Sequence, residues 1–451
     1  MSSPTVSRRA LLGAAAATGL GIVLVGCMDA VPSAAPRTGG GPLTPDPDGL
    51  LALPDGFRYR VVAQSGVSRL DSGEPVPSDP DGAAAFPALR GNGTVLVCNH
   101  EIRGDEEFPL PHVEGLVYDE EAHGGTTTIE VDEDGNRLRH YVSLAGTHNN
   151  CAGGRTPWDT WLSCEESEAI LGKAHGYVFE VDPYDQAANR DPRPIKALGR
   201  YAHEAVAVDP DTHVLYLTED ADTPNGLLYR YTPPDSALPL GKGSFRQLGD
   251  ADGTLEALRA LTSAGEHVPD LSAATEIGTS YRTEWVEVPD RDAAERPVRQ
   301  QFDDDQVTRA RKLEGMWWGD GGAYVVSSYA RTDDGSVTQH DGQVWFLDPH
   351  AQTLTLQLRF AASDDPNVPW GPDNITVSPY GGVLIAEDHD GRVHLVGATP
   401  DGELYVLARN EAEGQSEFCG PVFSPDERTL FANLQGPGYT FAIRGPFQTL
   451  G

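Results

Sequence analysis

The chain has 451 residues, 33 basic and 68 acidic side chains, and a formal charge of −35 at pH 7. Charge of that sign repels nucleic-acid phosphates and anionic lipid, which excludes nucleic-acid binding and adhesion to a membrane by charge. An excess of carboxylates, with 50 glycines and 35 prolines to make turns, suits a turn-rich fold that hosts hard cations.

Taken in chain order, Arg8 and Arg9 precede a small-residue apolar run, 10–25, too short to span a bilayer. Leu24-Val25-Gly26-Cys27 resembles a lipobox. Residues 1–26 therefore read as a twin-arginine lipoprotein signal, with a short membrane anchor as the plain alternative. The signal predicts export to the cell envelope, with lipid on Cys27 as the sole membrane contact on the outer side of the cytoplasmic membrane. That route carries folded proteins, which suits one loaded with metal beforehand. Residues 27–48 read as a flexible tether, and 49–451 as a single monomeric domain in which 234–310 form an insertion at the entrance. Four further cysteines, Cys98, Cys151, Cys164 and Cys419, would allow two disulfides in an exported protein.

Helical periodicity is nearly absent, with 255–261 the main exception. Instead, short apolar runs, all but one ending in a carboxylate or amide, are followed by a loop and a glycine-led strand. The runs are 94–101, 160–166, 214–220, 323–329, 383–388 and 429–435. Six such repeats predict an all-β, six-bladed β-propeller, with a pair of β-sandwiches as the alternative. A second polar residue stands upstream of most of these ends: Asn150 precedes its partner Glu165 by 15 residues, Glu204 precedes Glu219 by 15, Glu314 precedes Ser327 by 13, Asp373 precedes Glu387 by 14 and Glu417 precedes Asn433 by 16. An antiparallel hairpin returns both polar groups to one end of its blade. Several blades would then crowd carboxylates around one channel mouth, where only cations relieve the repulsion. A rim of separate, solvated turns is the plain alternative. Within the strands, Glu166, Glu219 and Asp388 alternate to the other face and read as structural.

Several segments in order carry a specific resemblance: Asn99-His100-Glu101, His148-Asn149-Asn150-Cys151-Ala152-Gly153-Gly154, Cys164-Glu165-Glu166, His203-Glu204-Ala205-Val206, Arg311-Lys312-Leu313-Glu314-Gly315, Pro372-Asp373-Asn374 and Ser416-Glu417-Phe418. Over roughly residues 50–450 they resemble the PhoX-type alkaline phosphatase family. The resemblance implies phosphomonoester hydrolysis by a cluster of ferric iron (Fe3+) and calcium (Ca2+) with a bridging oxygen as nucleophile, and a small phosphorylated substrate. It makes Cys151 an iron ligand, although read alone this residue is equally half of a disulfide; a thiolate suits iron and not calcium. It makes Glu204 and Glu314 ligands of iron or bridges to calcium, and Asn99, Glu101, Asn149, Glu165, Asp373, Asn374 and Glu387 sources of hard oxygens. Lys312 stands where the family commonly has arginine, so a compact charge replaces a planar fork; Lys312 and His148 are the candidate contacts to substrate oxygens. A calcium-dependent propeller lactonase or esterase, and a non-catalytic lipoprotein braced by calcium, are the rival readings.

Overall fold

The computed structural model describes residues 37–450 apart from 39–40, 48, 361, 364–367 and 415. Residues 1–26, read above as an export signal with its Arg8-Arg9 pair, lie outside the described residues, as do Cys27 and most of the 27–48 segment read as a tether.

Among the described residues the regular structure is strand, interrupted only by short 3-10 turns. Alternating β-branched and aromatic residues fit the pleat, and Gly/Pro/Asp turns separate the runs. Six strands begin the blades: Pro80–Pro87, Asn150–Arg155, His203–Val208, Leu313–Gly319, Pro372–Val377 and Phe418–Phe423. Each forms an antiparallel hairpin with the strand that follows it. The six inner strands neighbour one another in order, and the sixth returns to the first, so the ring closes on itself. This is the six-bladed propeller expected from the repeats.

Blade 6 is completed by Arg58–Gln64, which pairs with Tyr439–Arg444, so the start of the domain clasps its end. Ser280–Glu287 pairs with the outer strand of blade 3 on one side and with Thr353–Phe360 of blade 4 on the other, which merges these two blades into one hydrogen-bonded sheet. The stretch 255–261 is not helical. It lies in the strand Thr254–Leu261, paired on both sides, because a place in a ladder outweighs the helix preference of Leu, Glu and Ala.

An apolar cluster fills each gap between neighbouring blades. Phe86, Trp161 and Phe179 join blades 1 and 2, Leu162, Val206 and Tyr229 join blades 2 and 3, and Tyr216, Met316 and Trp345 join blades 3 and 4. Val326, Ile375 and Ile385 join blades 4 and 5, Leu384, Phe418 and Phe441 join blades 5 and 6, and Val422, Phe431, Ala85 and Leu96 join blades 6 and 1. Cys98, Cys151, Cys164 and Cys419 are buried and free. No helix among the described residues is long and apolar enough to cross a membrane.

Candidate metal centre

Every inner hairpin carries the same irregularity at the same place. Two residues of the inner strand stand opposite one residue of its partner, a β-bulge that re-aims a side chain. The first bulged residues are Asp81, Cys151, Glu204, Glu314, Asp373 and Gly420. Five of the six thus offer a metal-ligating atom at the same end of the channel. Their ligand atoms gather, with two neighbours, into three overlapping groups: Asp81–Glu101–Cys151, Cys151–Glu166–Glu204 and Glu204–Glu314–Asp373. Within each group the atoms lie within 4.8 Å of one another. Cys151 and Glu204 are shared, so the groups form one arc across blades 1 to 5. In blade 6, Gly420 has φ +57° and a Cβ there would stand 2.4 Å from the Asp81 carbonyl oxygen, so only glycine lets the strands meet.

A second ring comes from the first residue beyond each second strand. The backbone N–H of Glu101, Glu166, Asp220, Ser328 and Asp388 donates to the carbonyl of Asp79, Asn149, Ala202, Lys312 and Gly371 respectively, at 2.8–3.2 Å. The same register thus puts Glu101, Glu166 and Asp388 at equivalent places. This reverses the reading of Glu166 and Asp388 as facing away: Glu166 joins the cluster, and the charge of Asp388 acts on Asp373 and Lys312.

The partners Glu165 and Glu387 lie one residue earlier, and a step of one residue turns a side chain to the other face. Glu165 accepts from His148 N, Gly176 N, Tyr177 N and His175 Nδ1 at 2.6–3.1 Å. Glu387 accepts from Trp370 N, His394 N and His394 Nδ1 at 2.8–3.0 Å. Glu219 does the same for Leu227 N and the Tyr229 hydroxyl. These three carboxylates anchor the third strands of their blades, and none joins the cluster. Asn99 is not brought to it either: its amide donates to the Cys151 and Ala152 carbonyls, and its oxygen accepts from Trp161 Nε1 and Ser163 Oγ.

Two amides border the cluster and orient it. Asn374 donates to Asp373 Oδ1 at 3.1 Å and accepts from Gly420 N at 2.7 Å. Asn149 donates to Glu166 Oε2 at 3.1 Å and accepts from Arg103 Nε at 2.6 Å. Lys312 Nζ lies 3.1 Å from Glu314 Oε1 and 3.5 Å from Asp220 Oδ2. His148 is half-buried outside the three groups, its ring 5.6 Å from that of His175. His203 is fully buried against the Gly199 carbonyl and stacks on Tyr201, a structural placement.

Burial and mutual repulsion hold the Asp81, Glu166, Glu204 and Glu314 carboxyls well above the usual carboxylate range. They push Asp373 up to about 7. Burial, then Asp81 and Glu204, raises the Cys151 thiol likewise. Glu314, through its charge, is the largest cause of an elevated Lys312. Neither oxygen of the buried Glu204 carboxylate, nor Asp81 Oδ1, has an N–H or O–H donor among the described residues. Buried polar atoms without a protein partner are costly, and a cation would supply what these lack. The donor set fits two kinds of metal. Sulfur with carboxylates around Cys151 suits a transition metal such as iron, and the all-oxygen group Glu204–Glu314–Asp373 suits a hard cation such as calcium.

Sequence comparison agrees with this geometry. The profile of the family described as Alkaline phosphatase PhoX matches residues 38–438. The chain belongs to the alkaline phosphatase PhoX family. Among solved structures it is similar to "Pseudomonas fluorescens PhoX in complex with vanadate, a transition state analogue", at 18% identity and a TM-score of 0.69 over 93% of this chain and 99% of that one. Weaker likenesses are to XC5397 of Xanthomonas campestris, a gluconolactonase (12% identity, TM-score 0.43, 90% of this chain and 98% of that one), and to the PQQ domain of a Coprinopsis cinerea pyranose dehydrogenase (11%, 0.40, 89% and 98%). Likenesses that weak carry no functional weight. No curated protein sequence matches the chain.

Two residues in or beside the cluster escaped the repeat pattern. Asp81 precedes His100 by 19 residues, beyond the usual spacing, and its strand PDGAAAFP opens like a turn. Arg103 follows Glu101 in a loop with no counterpart in other blades; its Nη2 donates to Glu101 Oε1 at 2.6 Å.

Proposed function

We propose that this PhoX-family protein is an exported, metal-dependent phosphatase acting on phosphate monoesters of small molecules. The observation that carries the reading is the continuous arc of five bulge positions, four carboxylates and one thiol, with no N–H or O–H donor among the described residues to the Glu204 carboxylate at its centre. Asp81, Glu101, Cys151, Glu166 and Glu204 would hold iron, and Glu204, Glu314 and Asp373 calcium. Bound there, such cations neutralise phosphoryl charge and make a water nucleophilic near neutral pH.

The chain's own residues do the positioning. Asn374 fixes the rotamer of Asp373, Asn149 that of Glu166, and the small bulge residues let neighbouring inner strands approach. A Cβ on Gly315 would stand 2.7 Å from the Asn374 Cα. Lys312, held by Glu314 and Asp220, offers its ammonium to the equatorial oxygens as charge builds in the transition state. The Glu165–His175–Asp119 chain of hydrogen bonds, at 2.6 and 3.2 Å, keeps blade 2 rigid behind Glu166. Arg8-Arg9 and Cys27 support twin-arginine export and lipid anchoring, and the monomer is the expected state. The test is hydrolysis of p-nitrophenyl phosphate by the natively exported protein before and after chelation. Activity that is lost on chelation and restored by iron with calcium is the expected result; activity indifferent to chelation would refute metal dependence.

A further inference from the structure

The cluster is strongly anionic, and the side chains beside it include two cations on opposite sides of the ring. Lys312 enters from blade 4 and Arg103 from the loop after the second strand of blade 1; in the closed order of six inner strands these blades face each other. Each cation grips one cluster carboxylate, Lys312 that of Glu314 and Arg103 that of Glu101. Glu166, between them, feels both charges. The two differ in what they have left to offer. Arg103 uses Nε on Asn149 and Nη2 on Glu101, while its Nη1 edge has no partner among the described residues and its side chain is 63% exposed. A guanidinium held at two donors and open along a third edge is preorganised for an oxyanion.

We propose that Arg103 is a substrate-binding residue that takes a non-bridging phosphoryl oxygen through Nη1, opposite Lys312, and so supplies the planar grip that a lysine at position 312 does not. The inference rests on the phosphatase reading above. Asn149 is then a positioning residue for Arg103 as well as for Glu166, because its amide joins the two.

Orthovanadate and inorganic phosphate, titrated calorimetrically into the metal-loaded protein with metal content measured in parallel, test this. Arg103→Gln keeps a hydrogen-bonding head but loses the charge and the fork, and should weaken both anions by about tenfold to a hundredfold at unchanged metal content. Arg103→Lys should fall between it and the wild type. In turnover the loss should appear in KM more than in kcat. Wild-type affinity in Arg103→Gln, or a loss that tracks a loss of metal, would overturn the proposal and leave Arg103 a brace for Glu101. A metal-loaded wild type that binds neither anion would instead overturn the phosphatase reading, and the inference with it.

Discussion

Replacing Asp373 by asparagine should have opposite effects on the metal-free and the metal-loaded protein. Asp373 is buried, and burial followed by the charge of Asp388 raises its carboxyl from 3.8 to about 7. A raised folded-state value means that the folded protein holds a proton the unfolded chain has released. Metal-free stability is then fully present below about pH 4, falls as pH rises between about 4 and 7, and levels off above. A shift of about three units corresponds to roughly 4 kcal/mol from this group alone. Asp373→Asn removes that loss. Stripped of metal, the variant should match the wild type at pH 4 and exceed it by about 4 kcal/mol at pH 8 in urea unfolding. Loaded with metal, it should be the less stable protein, because a ligand has gone. A metal-free Asp373→Asn that is weaker than wild type at pH 8 would refute the view that these carboxylates are held together against their own repulsion.

Other variants divide the site by role. Cys151→Ser should lose iron by elemental analysis and at least about a hundredfold in phosphatase activity, with the circular dichroism of the propeller unchanged. Glu166→Gln should lower metal content, whereas Glu165→Gln should keep the metals and cost about 1–3 kcal/mol of stability through the Gly176, Tyr177 and His175 contacts. The reverse pattern would return Glu165 to the cluster. Lys312→Ala should lower kcat by about tenfold to a hundredfold, with Lys312→Arg recovering most of it; an unchanged kcat in Lys312→Ala would remove Lys312 from the reaction.

The blade count and the end of the channel that carries the chemistry were legible because each blade repeats a strand ending in a polar residue, and hairpin geometry forces both polar groups to one end. Glu204, Glu314 and Asp373 were found on that ground. Which other side chains join them in the cluster was not legible, for a local reason. Alternation in a strand is read by counting, and the count depends on where each blade's repeat is set. Glu101 was grouped with Glu165 and Glu387 as a source of hard oxygens, when the backbone register places it with Glu166 and Asp388. The bulges were equally hidden, since nothing in Cys151-Ala152 or Asp373-Asn374 announces that two residues face one. Asp81 was missed because its strand looks like a turn, and Arg103 because it belongs to no repeat. What distinguishes Glu166 from Glu165 is which of two adjacent carboxylates meets the Gly176 and Tyr177 amides, a contact set by the third strand and invisible from local sequence.

The central claim is that the bulge-borne arc binds metals, and the metal content of the protein purified from its native host, measured by elemental mass spectrometry after exhaustive buffer exchange, tests it most directly. Iron and calcium retained together, with iron lost in Cys151→Ser and calcium in Asp373→Asn, is the result the account predicts. Protein that hydrolyses phosphate esters at full rate while holding neither metal would contradict it.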